Sequence, residues 1–193
     1  MNKIFQPGIF RQIMSMTASH VTGVFLCSVL YFLCMFWSAE KPVWAATMSV
    51  ILCIIYFAEI YSKAWICAER DNKSYTTTFP YPFKGTVLSI GILILCFILW
   101  LLYKFTWAFL TIDGYIHSYT GFLYNVLFVL NTIMFTGFSA PKTGNTALYV
   151  QLLMYLLPVV ASTIGYFAGT KGFMITEKLM PFIYEKKKNA QKN

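Results

Sequence analysis

Long stretches without charged residues divide this chain and predict a set of membrane-spanning helices. A helix needs about 20 mainly apolar residues to cross the hydrocarbon core of a bilayer. The pattern therefore predicts an all-α integral membrane protein, with residues 1–193 forming a single polytopic domain. The stretches that lack Asp, Glu, Lys and Arg are residues 12–39, 42–58, 85–103, 114–141 and 143–170.

Turn residues and charges between these stretches set the predicted boundaries of a four-span helical bundle. Pro42 suits the first position of a helix, because its missing N–H would have no partner there. Residues 115–138 are also long enough to cross, but they contain several Asn and Thr residues. We predict that they form an additional interfacial or re-entrant helix, with a fifth span as the alternative. The four spans are 16–37, 43–63, 85–103 and 147–169, followed by a basic tail over 170–193.

The distribution of cations favours four spans over five and orients the bundle. With four spans, twelve of the fifteen Lys and Arg residues lie on one side of the membrane. A fifth span would move the tail across and leave seven cations against eight. Because cytoplasmic segments carry the excess of Lys and Arg, four spans with both termini in the cytoplasm are expected. The three cations on the other side are Lys41, Lys104 and Lys142.

The composition agrees with a membrane protein and disfavours several other classes. The chain is 58% hydrophobic and 11% charged, with a net charge of +8. Nucleic-acid-binding proteins cluster their cations on a soluble face, whereas these cations flank apolar spans. We therefore expect the bilayer and its anionic headgroups as partners, and no nucleic acid. The five cysteines lie within or at the end of predicted spans, where they are expected to be packing residues without disulfides.

Small residues at every fourth position predict close helix packing in two spans. Such rows let two helix backbones approach closely in a membrane. The last span and the start of the first span each carry one row. Contact between these two spans is the favoured interpretation, and association with a second copy or another membrane subunit is the alternative. The rows are Ala161, Gly165 and Gly169, and Ser15, Ser19 and Gly23.

The segment 115–138 carries a narrow polar stripe on an otherwise apolar helix. On a helical wheel its four members fall within about 60° of one another. Interhelical hydrogen bonding is the favoured interpretation, because no ionisable residue accompanies the stripe. A substrate or water path is the alternative. The stripe consists of Gly121, Asn125, Thr132 and Thr136.

Few ionisable residues approach the predicted membrane interior. Glu59 is the single carboxylate inside a predicted span, and we expect an ion pair with Lys63 one turn later. Proton or cation handling is the alternative for Glu59. His20 is expected at headgroup level. The charged end of the second helix, residues 69–72, is expected to pair with Arg11 or Lys84, or alternatively to dock a soluble partner.

Two amphipathic segments are predicted to lie at the membrane surface. Residues 9–15 alternate apolar and polar side chains and suit a short interfacial helix before the first span. Residues 173–184 are similar and lead into a lysine cluster. Each such lysine contributes about 1 kcal/mol beside an anionic leaflet. The cluster, Lys186, Lys187 and Lys188, is therefore expected to contact lipid headgroups.

No catalytic motif is present, and no metal site or cofactor is expected. The chain lacks the Ser-hydrolase, zinc-protease and phosphate-loop patterns. We expect a small non-enzymatic integral membrane protein, an accessory or scaffold subunit that acts by helix association in a membrane assembly. The alternative is a small-solute transport component that binds its substrate between helices. Short loops favour a bacterial cytoplasmic membrane.

Overall fold

The computed structural model describes residues 8–38, 42–73, 78–81, 83–113, 131, 135 and 148–172. Most of these residues lie in α-helices, and no β-strand occurs among them. The predicted all-helical class is therefore confirmed for the described part of the chain. Its helices are α1 (Ile9–Ser38), α2 (Pro42–Asp71), α3 (Lys84–Leu88), α4 (Ile90–Asp113) and α5 (Leu148–Thr170).

Three helical stretches of the described residues are long and apolar enough to cross a membrane. They are Ile9–Cys34, Ala46–Asp71 and Lys84–Leu102, and Tyr155–Thr170 is a shorter apolar helix. These helices are consistent with a helical membrane bundle. Each of the four predicted spans overlaps one of them. The segment 115–138, except Asn131 and Phe135, lies outside the described residues, as does the tail beyond Gly172.

The first helix differs from the prediction of a separate interfacial helix before the first span. Residues 9–15 are the first turns of α1, which continues without a break to Ser38. Since these residues contain no Pro or Gly, nothing in their sequence ends the helix before the span begins. The Gln12 side chain points into the bundle, where it meets the end of α2.

The predicted third span, 85–103, is divided near its start and extended at its end. Ser89 separates α3 from α4, and its hydroxyl donates to the carbonyl of Thr86 at 2.7 Å. A serine side chain that bonds nearby backbone competes with regular helix geometry, which accounts for the break. Helix α4 then continues past Lys104 to Asp113. The single lysine ends the uncharged run but does not end the helix.

Helix α2 lies at the centre of the described bundle and contacts both α1 and α5 extensively. Residues paired across the interfaces show that α1 runs antiparallel to α2, whereas α5 runs parallel to α2 and α4 runs parallel to α1. The pairs are Gln12 with Asp71 and Gly23 with Tyr56 for α1–α2, Gly165 with Tyr61 and Gly169 with Trp65 for α2–α5, and Gly91 with Thr17 and Cys96 with His20 for α1–α4.

Both predicted rows of small residues lie on helices that pack against α2. A Cβ atom on Gly165 would lie 2.5 Å from the backbone oxygen of Tyr61, and one on Gly169 would lie 2.7 Å from Ala68. Gly23 on α1 faces the ring of Tyr56. The favoured contact between the first and last spans is thus replaced by contact of each with α2. The reason is that α2 supplies its own small residues, Ala64 and Ala68, at the matching spacing.

Candidate functional site at the basic end of the bundle

The ends of several helices meet at one end of the bundle, which we call the basic end. It contains the start of α1, the end of α2, the start of α3 and the end of α5. Asp71 is the last residue of α2, and Lys84 is the first of α3. Of the described residues between them, Thr78 donates a hydrogen bond to Asp71, and Phe83 directly precedes α3.

The Asp71 carboxylate accepts four hydrogen bonds from side chains in four different parts of the chain. Lys84 Nζ donates to Oδ2 at 2.6 Å, and the Tyr166 hydroxyl donates to the same oxygen at 2.7 Å. The Thr78 hydroxyl and Gln12 Nε2 donate to Oδ1 at 2.5 and 2.8 Å. A carboxylate offers about four acceptor positions, so those of Asp71 are filled. We call these five residues the Asp71 cluster.

Lys84 is enclosed as completely as its partner. The side chains of Lys84 and Asp71 have 0% exposed surface. The ammonium also donates to the carbonyl of Phe79 at 3.3 Å and lies 5.8 and 5.9 Å from the ring centres of Tyr81 and Tyr166. Burying two charges costs several kcal/mol per ion, and close pairing with additional hydrogen bonds is what offsets that cost. The pair therefore depends on every one of these contacts.

Tyr81 borders the cluster from the segment that precedes α3. Its hydroxyl is buried and has no hydrogen-bond partner among the described residues. Burial, and then the negative charge of Asp71, raise the pKa of the Tyr81 hydroxyl above its ordinary value. At neutral pH this hydroxyl therefore stays protonated and is an available hydrogen-bond donor.

A groove of about 620 Å³ lies beside the Asp71 cluster, between α5 and the segment that leads into α3. Its walls are mainly aromatic and aliphatic, with Gly85 and two threonines as smaller members. The residues that define what we call the aromatic groove are Pro80, Tyr81, Phe83, Ile164, Tyr166 and Phe167.

The backbone of Phe83 holds one wall of the aromatic groove in an unusual conformation. Phe83 has a φ of 65°, in the left-handed region that bulky residues rarely adopt. It directly precedes Lys84, so this conformation starts α3 and turns the chain into the bundle. The Phe83 ring remains 76% exposed, beside the groove.

A second buried polar group, the His20 cluster, lies deeper in the bundle. His20 Nδ1 is 2.7 Å from the Tyr56 hydroxyl, and His20 Nε2 is 3.8 Å from Cys96 Sγ. Asn131 Nδ2 donates to Cys96 Sγ at 3.5 Å. His20, Tyr56 and Cys96 thereby join α1, α2 and α4, and Asn131 is the fourth member of the cluster. His20 is 3% exposed and faces the interior of the bundle, and its expected headgroup level stays a prediction.

The expected ion pair between Glu59 and Lys63 is not formed. The two ion pairs between described residues are Lys84–Asp71 and Lys73–Glu69. Glu59 is instead half-buried on the side of α2 that faces Gly23. Arg11 and Lys84 were the two partners expected for the charged end of α2. In the structure, Asp71 at this end forms its ion pair with Lys84.

Several predicted residues lie outside the described part of the chain or have another role. The polar stripe of Gly121, Asn125, Thr132 and Thr136 and the lysines 186–188 are outside it. Ser15 is half-buried and Ser19 is buried on α1, and Ala161 is buried on α5.

Within the described residues, no group of three or more His, Cys, Asp or Glu side chains is arranged to hold a metal ion.

The sequence pattern did not indicate Gln12, Thr78 and Tyr166 as partners of Asp71. One signal was available for Tyr166, because it follows Gly165 in a row of small residues that brings α5 close to α2.

Comparison of the chain with protein-family models, curated proteins and solved structures finds no match.

Proposed function

We propose that this chain is a small non-enzymatic integral membrane protein that acts by helix association, as an accessory or scaffold subunit of a membrane assembly. The observation that carries this proposal is the saturation of the Asp71 carboxylate by four donors. A carboxylate whose acceptor positions are filled is poorly suited to proton transfer or to ligand binding. It is well suited to fixing the positions of the helices that supply its partners.

The surface of the bundle fits this proposal. Both rows of small residues and both buried polar clusters are directed inward, toward α2 or its neighbours. The outward faces of α1 and α2 consist largely of apolar side chains such as Phe25, Leu33 and Ile54, all more than half exposed. A fixed bundle with apolar faces suits lipid and other membrane helices as neighbours.

The proposal includes four spans with both termini in the cytoplasm of a bacterial cell. Since α1 and α4 run one way and α2 and α5 run the other, the start of α1 and the end of α5 lie at the same end of the bundle. That end also holds Arg11, Lys84 and Lys171. The excess of positive charge on cytoplasmic segments supports this orientation.

A second candidate function is a small-solute transport component that binds its substrate between helices. The observation that favours it is the His20 cluster, because an ionisable side chain buried within membrane helices often marks a pathway or binding site. The cluster is, however, closed by contacts among its own members, so helix association remains the leading proposal.

Purification from native membranes in a mild detergent distinguishes these functions. A scaffold subunit is expected to leave the column with a partner in fixed stoichiometry, or as a defined oligomer, and the apolar-face variant Ile54→Lys is expected to reduce recovery of that partner. The matched control is Ile54→Val. Recovery of the chain as a monomer that is thermally stabilised by a small solute would contradict the scaffold proposal and support transport.

A further inference from the structure

The aromatic groove opens between exposed apolar side chains on the surface of the bundle. Phe167 and Ile164 on α5 are 65% and 48% exposed, and Phe83 forms the opposite wall. Ligand pockets for small molecules commonly measure about 300–1,000 Å³ and are lined mainly by apolar and aromatic side chains. The groove has this size and lining, and it lies at the basic end of the bundle, beside the Asp71 cluster.

One cation at the rim of the aromatic groove is not neutralised by a carboxylate. Lys171 follows Thr170, a lining residue, and its Nζ lies 5.8 Å from the centre of the Phe167 ring. No carboxylate of the described residues forms an ion pair with Lys171. By contrast, Lys84, which lies between the lining residues Phe83 and Gly85 in the sequence, is paired with Asp71, so the pair adds no net charge. The groove therefore combines an apolar interior with a positive rim.

We propose that the aromatic groove is a binding site for one anionic phospholipid. The acyl chains lie against Phe83, Ile164 and Phe167, and the phosphate lies beside Lys171. The occupant is taken from the cytoplasmic leaflet, whose anionic headgroups face the cations of the basic end. This site depends on the membrane orientation and not on the scaffold function.

Native mass spectrometry tests the site with the full chain in nanodiscs that contain equal amounts of phosphatidylglycerol and phosphatidylcholine. The wild type is expected to retain one phosphatidylglycerol in preference to phosphatidylcholine. Lys171→Gln is expected to lower phosphatidylglycerol binding about fivefold, the effect of one lysine beside an anionic membrane, and to leave phosphatidylcholine binding unchanged. Lys73→Gln is the charge-matched control, because Lys73 is exposed and already paired with Glu69.

A second pair of variants tests the groove itself. Ile164→Trp places an indole in the groove and is expected to abolish lipid retention. Val160→Trp, one turn earlier on the same helix and 45% exposed, is expected to leave retention intact. Equal retention of both lipids by the wild type, or the same loss in Ile164→Trp and Val160→Trp, would overturn the proposal. So would a dimer, measured by light scattering, that Ile164→Trp dissociates, because a second copy would then occupy the groove.

Discussion

The hydroxyl of Tyr166 donates a hydrogen bond of 2.7 Å to the carboxylate of Asp71, joining the end of α5 to the end of α2. The two residues lie 95 positions apart in the sequence. Their bond completes a buried ion pair that also includes Lys84 from the start of α3. One carboxylate therefore joins the ends of four helices, so removal of a partner is expected to destabilise the bundle.

Replacing Lys84 with Met is expected to destabilise the bundle strongly. The substitution leaves the Asp71 carboxylate buried without its countercharge, a change that typically costs about 3–5 kcal/mol. Unfolding in mixed detergent, followed with a thiol-reactive dye that reaches the buried Cys27, Cys67 and Cys96 as they open, measures the difference. Lys73→Met is the control, since an exposed pair contributes about 1 kcal/mol or less. Equal losses in both variants would contradict a central role for the buried pair.

Replacing Tyr166 with Phe removes one donor from Asp71 while keeping the ring. Hydrogen bonds to charged groups contribute about 1.5–3 kcal/mol, and a loss of that size is expected in the free energy of unfolding. Tyr155→Phe on the same helix is the matched control, because Tyr155 is half-buried in the apolar core. A Tyr166→Phe protein as stable as the Tyr155→Phe protein would show that the bond to Asp71 adds nothing.

Replacing Gly165 with Ala is expected to separate α5 from α2. The new Cβ would lie 2.5 Å from the backbone oxygen of Tyr61, and backbone cannot move away as a flexible side chain can. Overpacking of this kind costs about 1–3 kcal/mol. Ile164→Val, at the neighbouring exposed position, should change the thermal unfolding midpoint little. An unchanged midpoint for Gly165→Ala would mean that the two helices lie farther apart than described.

Replacing Tyr56 with Phe tests the His20 cluster. Without the Tyr56 hydroxyl, the buried Nδ1 of His20 loses a partner at 2.7 Å, and an unpaired buried polar atom costs about 1–3 kcal/mol. Tyr31→Phe serves for comparison, because Tyr31 packs half-buried against the core from α1. If the two substitutions prove equivalent in detergent unfolding, the histidine does not need this hydroxyl.

Single cysteines introduced at the helix ends are expected to report the orientation of the bundle. In inverted vesicles, a membrane-impermeant maleimide should label Arg11→Cys and Lys171→Cys. In intact cells it should label Ser38→Cys, at the opposite end of α1. Labelling of Arg11→Cys and Lys171→Cys from opposite sides would refute the four-span arrangement. The unsubstituted chain controls for reaction of the native cysteines.

The helices could be predicted from the sequence because their determinants are local. Pro42 set the start of α2, and the uncharged runs set the approximate positions of the other long helices. For the charged end of α2, the favoured partners were Arg11 and Lys84. The choice of Lys84 depends on how the segment between α2 and α3 turns back, which involves Thr78 and the left-handed Phe83. Such geometry arises from packing, so it was not visible in the sequence.

The remaining differences also arise from contacts between distant residues. A histidine near a polar run suggested the headgroup region, but Tyr56 and Cys96 from two other helices provide His20 with partners inside the bundle. The same holds for Tyr166, since a buried tyrosine hydroxyl usually has a hydrogen-bond partner but the local sequence does not identify that partner. Only the close approach of α5 to α2 at Gly165 brings its hydroxyl to Asp71.

The position of Tyr166 near the end of α5 has a consequence for biogenesis. During synthesis, Asp71 and Lys84 enter the membrane long before the ribosome produces Tyr166. Until then, the growing protein holds a carboxylate that lacks its last donor and an α2 surface that lacks α5. Membrane proteases that survey newly inserted proteins therefore have a period in which to recognise an unfinished product, and this period ends when α5 docks.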